Sequence, residues 1–390
     1  MDIVKIIPRM KEFHWGSTDY IPRLVGQPEH KAKIGELWMG VHPNAPAVVP
    51  ALDNMLLKDF LSLHPHFLGK HEQLPFLFKV LSIEEPLSIQ CHPTKEQAVA
   101  GWAAETEKRK TSKAELLNYQ DDNAKAEMLC AITPVTALCG FRRWQEIEED
   151  LCMLMPTQFE RLFARCALQT NPIASFFHTL YRLPEHELHA CIEQYRTSLE
   201  KLGDASRCEP YLSPEEIAMN CIRAYPEDPG VFAPYFLNVI HLAPNDAIYL
   251  EPRVVHAYVR GNGIELMNNS DNVLRAGLTT KHMDIDELEA VMIAEAQPIS
   301  LLHPAIDYGY LHFMTDSPEF ALTVYDHTTH TVDHGDIAIM LCTEGETEIT
   351  SGSEHFVLSR GECCLIGASV KTYHVAARGK AYCASTKDNG

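Results

Sequence analysis

Apolar and polar residues alternate along residues 87–93, and a proline ends the run. Because successive side chains of a β-strand point to opposite faces, this pattern predicts a short strand. Its polar face carries Ser88, Gln90 and His92, and its apolar face carries Leu87, Ile89 and Cys91. If the strand lines a barrel, Gln90 and His92 project together into the cavity and can share a metal ion. A solvated strand face without a metal is the simpler alternative for this stretch alone.

Short apolar runs separated by Pro, Gly and Asn continue to about residue 143, which is typical of β structure with a few helices. The run Phe76–Leu81 predicts a buried strand that is apolar except for Lys79. A lysine at such a position usually extends its ammonium group to water, and a contact with a ligand is the alternative. Farther on, Thr94 and Gln97 form a capping-box pattern that predicts a helix through residues 98–110.

The period of the pattern changes after residue 143. Between Leu188 and Leu202, apolar residues recur at spacings of three and four, which predicts an amphipathic helix. Ser213 and Glu216 form a second capping box, with a proline at the first helical position. We therefore predict a helical domain at residues 144–228.

Short strands separated by turn residues return after the helical segment. A turn at residues 261–263 is predicted to separate a strand that carries His256 and Tyr258 from a neighbouring strand that carries Glu265. From about residue 298, a further all-β segment follows. Short strands of this kind are typical of β-sandwiches and jelly-roll barrels.

The composition narrows the class of protein. The 390 residues include 33 basic and 53 acidic residues, a net charge of −20, which argues against nucleic acid or an anionic membrane as a partner. No segment approaches about 18 consecutive apolar residues, and the first residues lack the pattern of a signal peptide. The 12 cysteines are scattered through apolar runs, as expected of buried thiols in a reducing compartment. We therefore expect a cytoplasmic protein of two or three domains.

Three blocks of the sequence resemble, in order, the signatures of one enzyme family. They span residues 75–93, 125–142 and 256–281, and the last contains the stretch SDNVLRAGLT. The fragments at residues 14–17 and 36–40 add to the match. The family is that of the type I mannose-6-phosphate isomerases, zinc enzymes of the cupin superfamily, and the resemblance runs nearly end to end.

This resemblance implies a mainly β protein of cupin-like jelly-roll barrels with an inserted α-helical domain. We predict a cupin-like catalytic domain at residues 1–143 plus 229–297, the helical domain at 144–228 and a C-terminal jelly roll at 298–390. The implied activity is the interconversion of mannose 6-phosphate and fructose 6-phosphate through a cis-enediol. We expect a monomer that binds a small sugar phosphate and neither nucleic acid nor a membrane.

The resemblance also implies a zinc site, one ion per chain, with Gln90, His92, Glu127 and His256 as ligands. Two imidazoles, one carboxylate and one amide oxygen suit Zn²⁺. A single carboxylate leaves the site with a net positive formal charge, so the ion keeps its Lewis acidity. A water or a sugar hydroxyl can then take an open position.

Further residues are placed in or beside the pocket by the same resemblance. Zinc and Arg275 would stabilise the enediolate, and Lys79, Ser88 and Lys281 would hold the phosphate dianion, but the sequence does not separate these two groups. The candidate base is Glu265, and an acceptor that orients Lys125 or a metal ligand is its alternative role. The implied catalytic residues are Arg275, Glu265, Lys125 and Tyr258, and the implied substrate contacts are Lys79, Ser88, Lys281 and Asp271.

The sequence departs from the family pattern beside the ligands. Ala126 stands in place of a proline, and Cys91 stands in place of an aliphatic residue that points away from the site. Residues 253–255 replace small and turn-forming residues before His256. This last change can reshape the mouth of the pocket and hence the substrate preference.

Two other functions fit parts of the pattern. A cupin dioxygenase would hold Fe²⁺ with a His-x-His pair, and Gln90 at the first ligand position argues against it. A non-catalytic sugar-phosphate binder would keep the pocket without turnover. Retention of Arg275, Lys125 and the four ligands argues against this second function.

Overall fold

The computed structural model describes residues 2–202, 208–333 and 335–387. Strands predominate in it, as predicted. They are β1 Ile3–Ile6, β2 Arg9–Ser17, β3 Ile34–Met39, β4 Val48–Val49, β5 Met55–Leu56, β6 Phe76–Ile83, β7 Ile89–Cys91, β8 Glu127–Ala131, β9 Val135–Phe141, β10 Leu237–Leu242, β11 Ala247–Leu250, β12 His256–Asn268, β13 Leu274–Gly277, β14 Ala305–Asp307, β15 Tyr310–Met314, β16 Ala321–Asp326, β17 Thr329–Asp333, β18 Ala338–Glu344, β19 Glu346–Ser351, β20 Glu354–Ser359, β21 Cys363–Ile366, β22 Thr372–Ala377 and β23 Lys380–Ser385.

Most helices lie between β9 and β10 in the sequence. The helices are α1 Tyr20–Leu24, α2 Leu57–Leu63, α3 Lys95–Ala104, α4 Thr106–Arg109, α5 Trp144–Leu154, α6 Pro156–Cys166, α7 Pro172–Leu180, α8 Glu185–Leu202, α9 Pro214–Ala224, α10 Ala233–Phe236 and α11 Ile285–Val291. Among the described residues, no helix has the length and apolar character needed to span a membrane.

A sheet of ten strands carries the predicted site. Its path runs β10-β9-β12-β6-β2-β3, and β7, β8, β11 and β13 attach to this path. Strand β7 is shorter than predicted, but its alternation is present. Ile89 and Cys91 are buried in a core shared with the helical segment, whereas Gln90 between them is partly exposed. The polar side of β7 therefore faces away from the helices.

Strand β12 is continuous where the sequence suggested a turn between two strands. Its first part pairs with β7 and β9, and its second part pairs with β6 and β8. Gly261 lies between the two parts with φ of +123°, and an added Cβ would come within 2.4 Å of Pro134 O. The predicted turn at residues 261–263 is wrong, because β12 continues through them. Glycine allows a strand to bend sharply as well as to reverse its direction, so the sequence pattern fits both. One bent strand carries His256, Tyr258 and Glu265.

The helical segment packs against the side of the large sheet opposite the polar face of β7. Apolar residues of α5–α9 share one core with those of β7, β9, β12 and β13. Both predicted capping boxes are present, with Thr94 at the start of α3 and Ser213 at the start of α9. The helix predicted through residue 110 is interrupted at Glu105, between α3 and α4. This packing holds β7 from behind.

Strands β14–β23 form the second β unit. Seven strands make a sheet in the order β1-β21-β18-β23-β16-β15-β14, and β17-β22-β19-β20 make a smaller one. Buried residues of both sheets meet in one core, as in a sandwich. The chain's first strand, β1, pairs with β21, with Ile3 opposite Ile366. This pairing links the predicted catalytic domain, which includes residues 1–143, to the predicted C-terminal jelly roll. The sequence did not indicate it, because a short apolar strand fits any sheet edge and its pattern does not specify the partner.

Candidate active site

Three potential metal ligands meet where β7, β8 and β12 come together. The strand register places His256 opposite Gln90 and Met267 opposite Glu127, and His92 directly follows β7. One ligand atom from each of His92, Glu127 and His256 lies within 4.8 Å of the others, and all three side chains are buried. Residues distant in sequence therefore form a group that can hold an ion.

Backbone carbonyls orient both imidazoles. His92 Nδ1 lies 2.8 Å from Asn272 O, and His256 Nδ1 lies 2.9 Å from Val254 O. A carbonyl oxygen only accepts hydrogen bonds, so both Nδ1 atoms donate, and in the neutral rings each Nε2 carries a lone pair. Each Nε2 lies 3.4 Å from an oxygen of Glu127. His92 Nε2 is buried and has no hydrogen-bond partner among the described residues, so lone pairs converge where a cation would satisfy them.

The charges around this group favour metal-ligating protonation states. Lys125 Nζ lies 2.8 Å from Glu127 Oε1. Burial alone would raise the pKa of Glu127, but the ammonium group of Lys125 opposes this and holds the pKa well below its ordinary value. Burial, assisted by Lys125, lowers the pKa of His92 to about 4. At neutral pH the group therefore contains a carboxylate and a neutral His92, the forms in which these side chains bind metals.

Gln90 lies at the edge of the same group. In the sheet it is opposite His256 on one side and Arg275 on the other. Its amide nitrogen donates a hydrogen bond to Ser88 Oγ at 3.3 Å. The amide oxygen is then the atom of Gln90 that can act as a ligand.

Glu265 and Lys79 form a buried ion pair next to the metal group. They are opposite each other on β12 and β6, and Lys79 Nζ lies 2.7 Å from Glu265 Oε2. Lys79 Nζ also lies 5.0 Å from the ring centroid of Trp38, whose indole N–H donates to Glu36. Burial acts to lower the pKa of Lys79, but Glu265 and Glu36 outweigh it and raise that pKa. Burial raises the pKa of Glu265, and Lys79 opposes this shift.

The remaining predicted residues surround this centre. Arg275 lies on β13 and is partly buried. Partial desolvation, together with the positive charge of Arg275, lowers the pKa of Lys281. The Tyr258 hydroxyl is buried without a hydrogen-bond partner among the described residues. Burial and the carboxylate of Glu127 raise the pKa of Tyr258 well above its ordinary value.

Two residues near the site were not singled out from the sequence. His42 Nε2 lies 3.0 Å from Asp271 Oδ2, and this hydrogen bond lowers the pKa of Asp271. Asn272 supplies the carbonyl that orients His92. Neither residue has a spacing or motif that connects it to its partner, because the contacts arise from how distant loops fold together.

Comparisons with known proteins agree with this geometry. Residues 3–144 match the family described as phosphomannose isomerase type I, catalytic domain, and residues 310–384 match the mannose-6-phosphate isomerase cupin domain. The mannose-6-phosphate isomerase of Escherichia coli K12 is 33% identical over 392 residues, which cover 96% of this chain and 97% of that protein. The chain belongs to the type I phosphomannose isomerase family. The human mannose-6-phosphate isomerase is 33% identical over 308 residues, covering 72% of this chain and 70% of that protein.

Solved structures of phosphomannose isomerases have the same fold. A variant of the enzyme from Salmonella typhimurium aligns with a TM-score of 0.87 and 29% identity, covering 100% of both chains. A zinc-bound mannose 6-phosphate isomerase aligns with the same TM-score of 0.87 and 29% identity. The predicted family, the enzyme class and the mainly β, cupin-like fold are confirmed.

Proposed function

We propose that this type I phosphomannose isomerase interconverts mannose 6-phosphate and fructose 6-phosphate through a cis-enediol. The observation that carries the proposal is the buried group of His92, Glu127 and His256, whose ligand atoms lie within 4.8 Å of one another in a chain of this family. The substrate is a small sugar phosphate, in line with the names of its relatives.

Zinc is the cofactor, as the zinc-bound neighbours and this group of ligands support. We assign one ion per chain to Gln90, His92, Glu127 and His256. The buried lone pair of His92 Nε2 and the mixed set of imidazole, carboxylate and amide donors fit Zn²⁺. When bound, zinc supplies Lewis acidity toward a substrate oxygen.

Glu265 is our candidate for the base that moves the proton between C2 and C1. The sugar carbon that loses the proton is a weak acid. A base that removes this proton at neutral pH works best when its own pKa lies near that pH. Burial raises the pKa of Glu265, which strengthens it as a base, and Lys79 at 2.7 Å orients it. We therefore propose that Lys79, first predicted as a phosphate contact, holds Glu265. The alternative role of Glu265 was to orient Lys125, but Glu265 pairs with Lys79, and Lys125 pairs with Glu127.

We assign Arg275 to the reacting carbons of the sugar and Lys281 to its phosphate. Arg275 lies opposite Gln90 in the sheet, so its permanent charge is beside the metal group and can stabilise the enediolate. The exposed Lys281 is our candidate for the phosphate dianion. Ser88, which lies next to Gln90, and the exposed Asp271 are proposed contacts for the rest of the sugar.

Tyr258 and Lys125 complete the proposed catalytic set. The Tyr258 hydroxyl is buried without a described partner, and its raised pKa keeps it a donor for a substrate oxygen. Lys125 neutralises part of the Glu127 charge through its 2.8 Å contact. Their removal is expected to affect turnover more than folding of the sheet, since both side chains face the site.

We also propose that the chain acts as a monomer in the cytoplasm. The net charge of −20 opposes close association of two copies. All 12 cysteines are free thiols, most of them buried, which suits a reducing compartment. Light scattering of the purified protein tests the first proposal.

An activity assay combined with metal analysis tests the function. The purified chain should convert mannose 6-phosphate to fructose 6-phosphate, hold zinc and lose activity to a chelator. Glu127→Ala should lose both zinc and turnover. His189→Ala is the matched control, because this exposed histidine of α8 is remote from the ligand group in sequence and should keep both.

Three results would contradict the proposal. Equal zinc content in Glu127→Ala and the parent would mean that the ligand set is wrong. Bound iron with oxygen consumption would indicate a dioxygenase. Bound zinc and sugar phosphate without turnover would indicate a non-catalytic binder.

A further inference from the structure

The loop between β12 and β13 is locked to a second loop by one buried amide. Asn272 has no exposed surface. Its side-chain oxygen accepts hydrogen bonds from the backbone N–H of Gln120 at 2.7 Å and of Asp121 at 3.2 Å. Its side-chain nitrogen donates to the carbonyls of Asp121 at 2.9 Å and Asn123 at 2.8 Å, and to the Asp121 carboxylate at 3.1 Å. One side chain therefore spans the segment 120–123 and fixes its path.

Asp121 completes the connection from the other side. Its carboxylate accepts hydrogen bonds from Ser270 Oγ at 2.9 Å and from the backbone N–H of Asp271 at 2.8 Å. Ser270 Oγ in turn accepts from the backbone N–H of Asn272 at 3.2 Å. The two loops are thus joined in both directions, so the peptide that follows Asn272 has little freedom.

That peptide touches the metal group. The carbonyl oxygen of Asn272 accepts the hydrogen bond from His92 Nδ1 at 2.8 Å. Among metal-ligating histidines, the partner of the second ring nitrogen sets both the tautomer and the ring orientation. The Asn272 carbonyl cannot shift without turning the His92 ring or releasing its Nδ1–H.

We infer that Asn272 is a positioning residue for the metal site, which sets the geometry of His92 by anchoring its own carbonyl through the side-chain bonds to residues 120–123. This inference rests on the proposed zinc function. It assigns to the segment 120–123, which supplies no ligand, a share of the zinc affinity. Asp121 acts in the same way through Ser270 and Asp271.

Zinc affinity, measured by competition with a chelator, tests the inference. Asn272→Ala should bind zinc about 10- to 100-fold more weakly than the parent, the usual cost of losing an outer partner of a ligand. Asn269→Ala is the matched control. It removes an amide from the same loop, but that amide donates to Leu74 O at 2.5 Å and has no described bond to the 120–123 segment. It should keep the parental zinc affinity.

A spectroscopic readout separates positioning from simple loss of stability. With cobalt in place of zinc, Asn272→Ala should show a changed absorption band of the metal, whereas Asn269→Ala should show the parental band. Thermal unfolding of the metal-free proteins reports how much each change weakens the fold. If Asn272→Ala does not fold, Ser270→Ala makes the same test. It removes the Ser270 hydroxyl bonds to the Asp121 carboxylate, the Asn123 carbonyl and the Asn272 N–H, and it leaves the Asn272 side chain in place.

The inference is overturned if Asn272→Ala, or Ser270→Ala in its place, keeps the parental zinc affinity and cobalt spectrum. It is also overturned if the Asn269 control loses affinity equally, in step with metal-free stability. Failure of the proposed function would look different, because the parent protein itself would then bind no zinc.

Discussion

Replacing Lys79 by methionine tests whether this lysine holds the base or binds phosphate. Lys79 is 6% exposed, Glu265 is 5% exposed, and their charged atoms lie 2.7 Å apart. Methionine keeps the length of the apolar stem and removes the charge. Glu265 is then buried without its hydrogen-bonded cation. Leaving one member of a buried pair uncompensated costs about 3–5 kcal/mol if the carboxylate stays ionised.

The carboxylate can escape part of this cost by taking up a proton. Each pKa unit corresponds to about 1.4 kcal/mol, so relief of about 3 kcal/mol means a rise of about two units in the pKa of Glu265. A base has to be deprotonated to act, so the acidic limb of the pH profile of kcat should move to higher pH. A raised pKa in the folded state also means that the folded protein binds more protons than the unfolded chain. Lys79→Met should therefore lose stability as the pH rises from about 5 to 8, more steeply than the parent.

Steady-state kinetics and thermal unfolding of the zinc-loaded proteins between these pH values measure both effects. The double variant Lys79→Met with Glu265→Gln carries neither charge, so it should recover most of the lost stability while remaining inactive. The reasoning is refuted if Lys79→Met has the parental unfolding temperature and pH profile and only a raised KM for mannose 6-phosphate. Lys79 would then be the phosphate contact that the family resemblance implied.

Three further predictions concern a catalytic charge, the phosphate and the fold. Arg275→Ala should keep its fold and zinc but lose about 10²-fold or more in kcat, with a smaller change in KM, because a preorganised charge acts mainly in the transition state; an unfolding temperature that falls in step with the rate would make Arg275 structural. Lys281→Met should raise KM for mannose 6-phosphate at unchanged zinc content, and mannose itself should react very slowly, since the dianion helps to position the sugar; a parental KM would remove Lys281 from the phosphate site. Burial would raise the pKa of Asp336, but its hydrogen bonds, above all the one with His71, hold this pKa below the ordinary 3.8. The contribution of Asp336 to stability is therefore present above pH 3.8 and is lost as the pH falls below it. Thermal unfolding should therefore show a steeper loss below pH 4 in the parent than in Asp336→Asn, and equal slopes would contradict this assignment.

Features that depend on neighbours in the sequence were predictable. The alternation of β7 and the capping boxes at Thr94 and Ser213 are local, and the structure has all three. The bend at Gly261 was not predictable, because the same residues allow a turn or a bent strand and the choice depends on pairing with distant strands. The role of the Asn272 carbonyl was not predictable for a similar reason. Every residue has a backbone carbonyl, so the sequence does not show which one accepts a hydrogen bond from His92.

Some features of the candidate site were likewise predictable from local sequence, whereas others depend on residues that are distant in sequence. The face shared by Gln90 and His92 follows from the local pattern, but their grouping with Glu127 and His256 came only from the family resemblance. Lys79 was recognised as unusual for a buried strand. Its partner, Glu265, lies 186 positions away, and only the register of β6 and β12 brings the two together.

Strand β12 has an irregular register. Which face each of its later side chains points to therefore depends on whether the number of residues before it is odd or even. His256 and Glu265 are separated by an odd number of positions, so in a regular strand they would point to opposite faces. The pairing with β9 shifts between Tyr258 and Arg260, and one extra residue at such a point inverts the facing of all that follow. Glu265 thereby faces the same centre as Glu127, whose charge contributes to its raised pKa. Deleting a single residue at this shift would turn Glu265, the proposed base, away from the metal group while leaving every site residue in the sequence, whereas a change of two residues would preserve its facing.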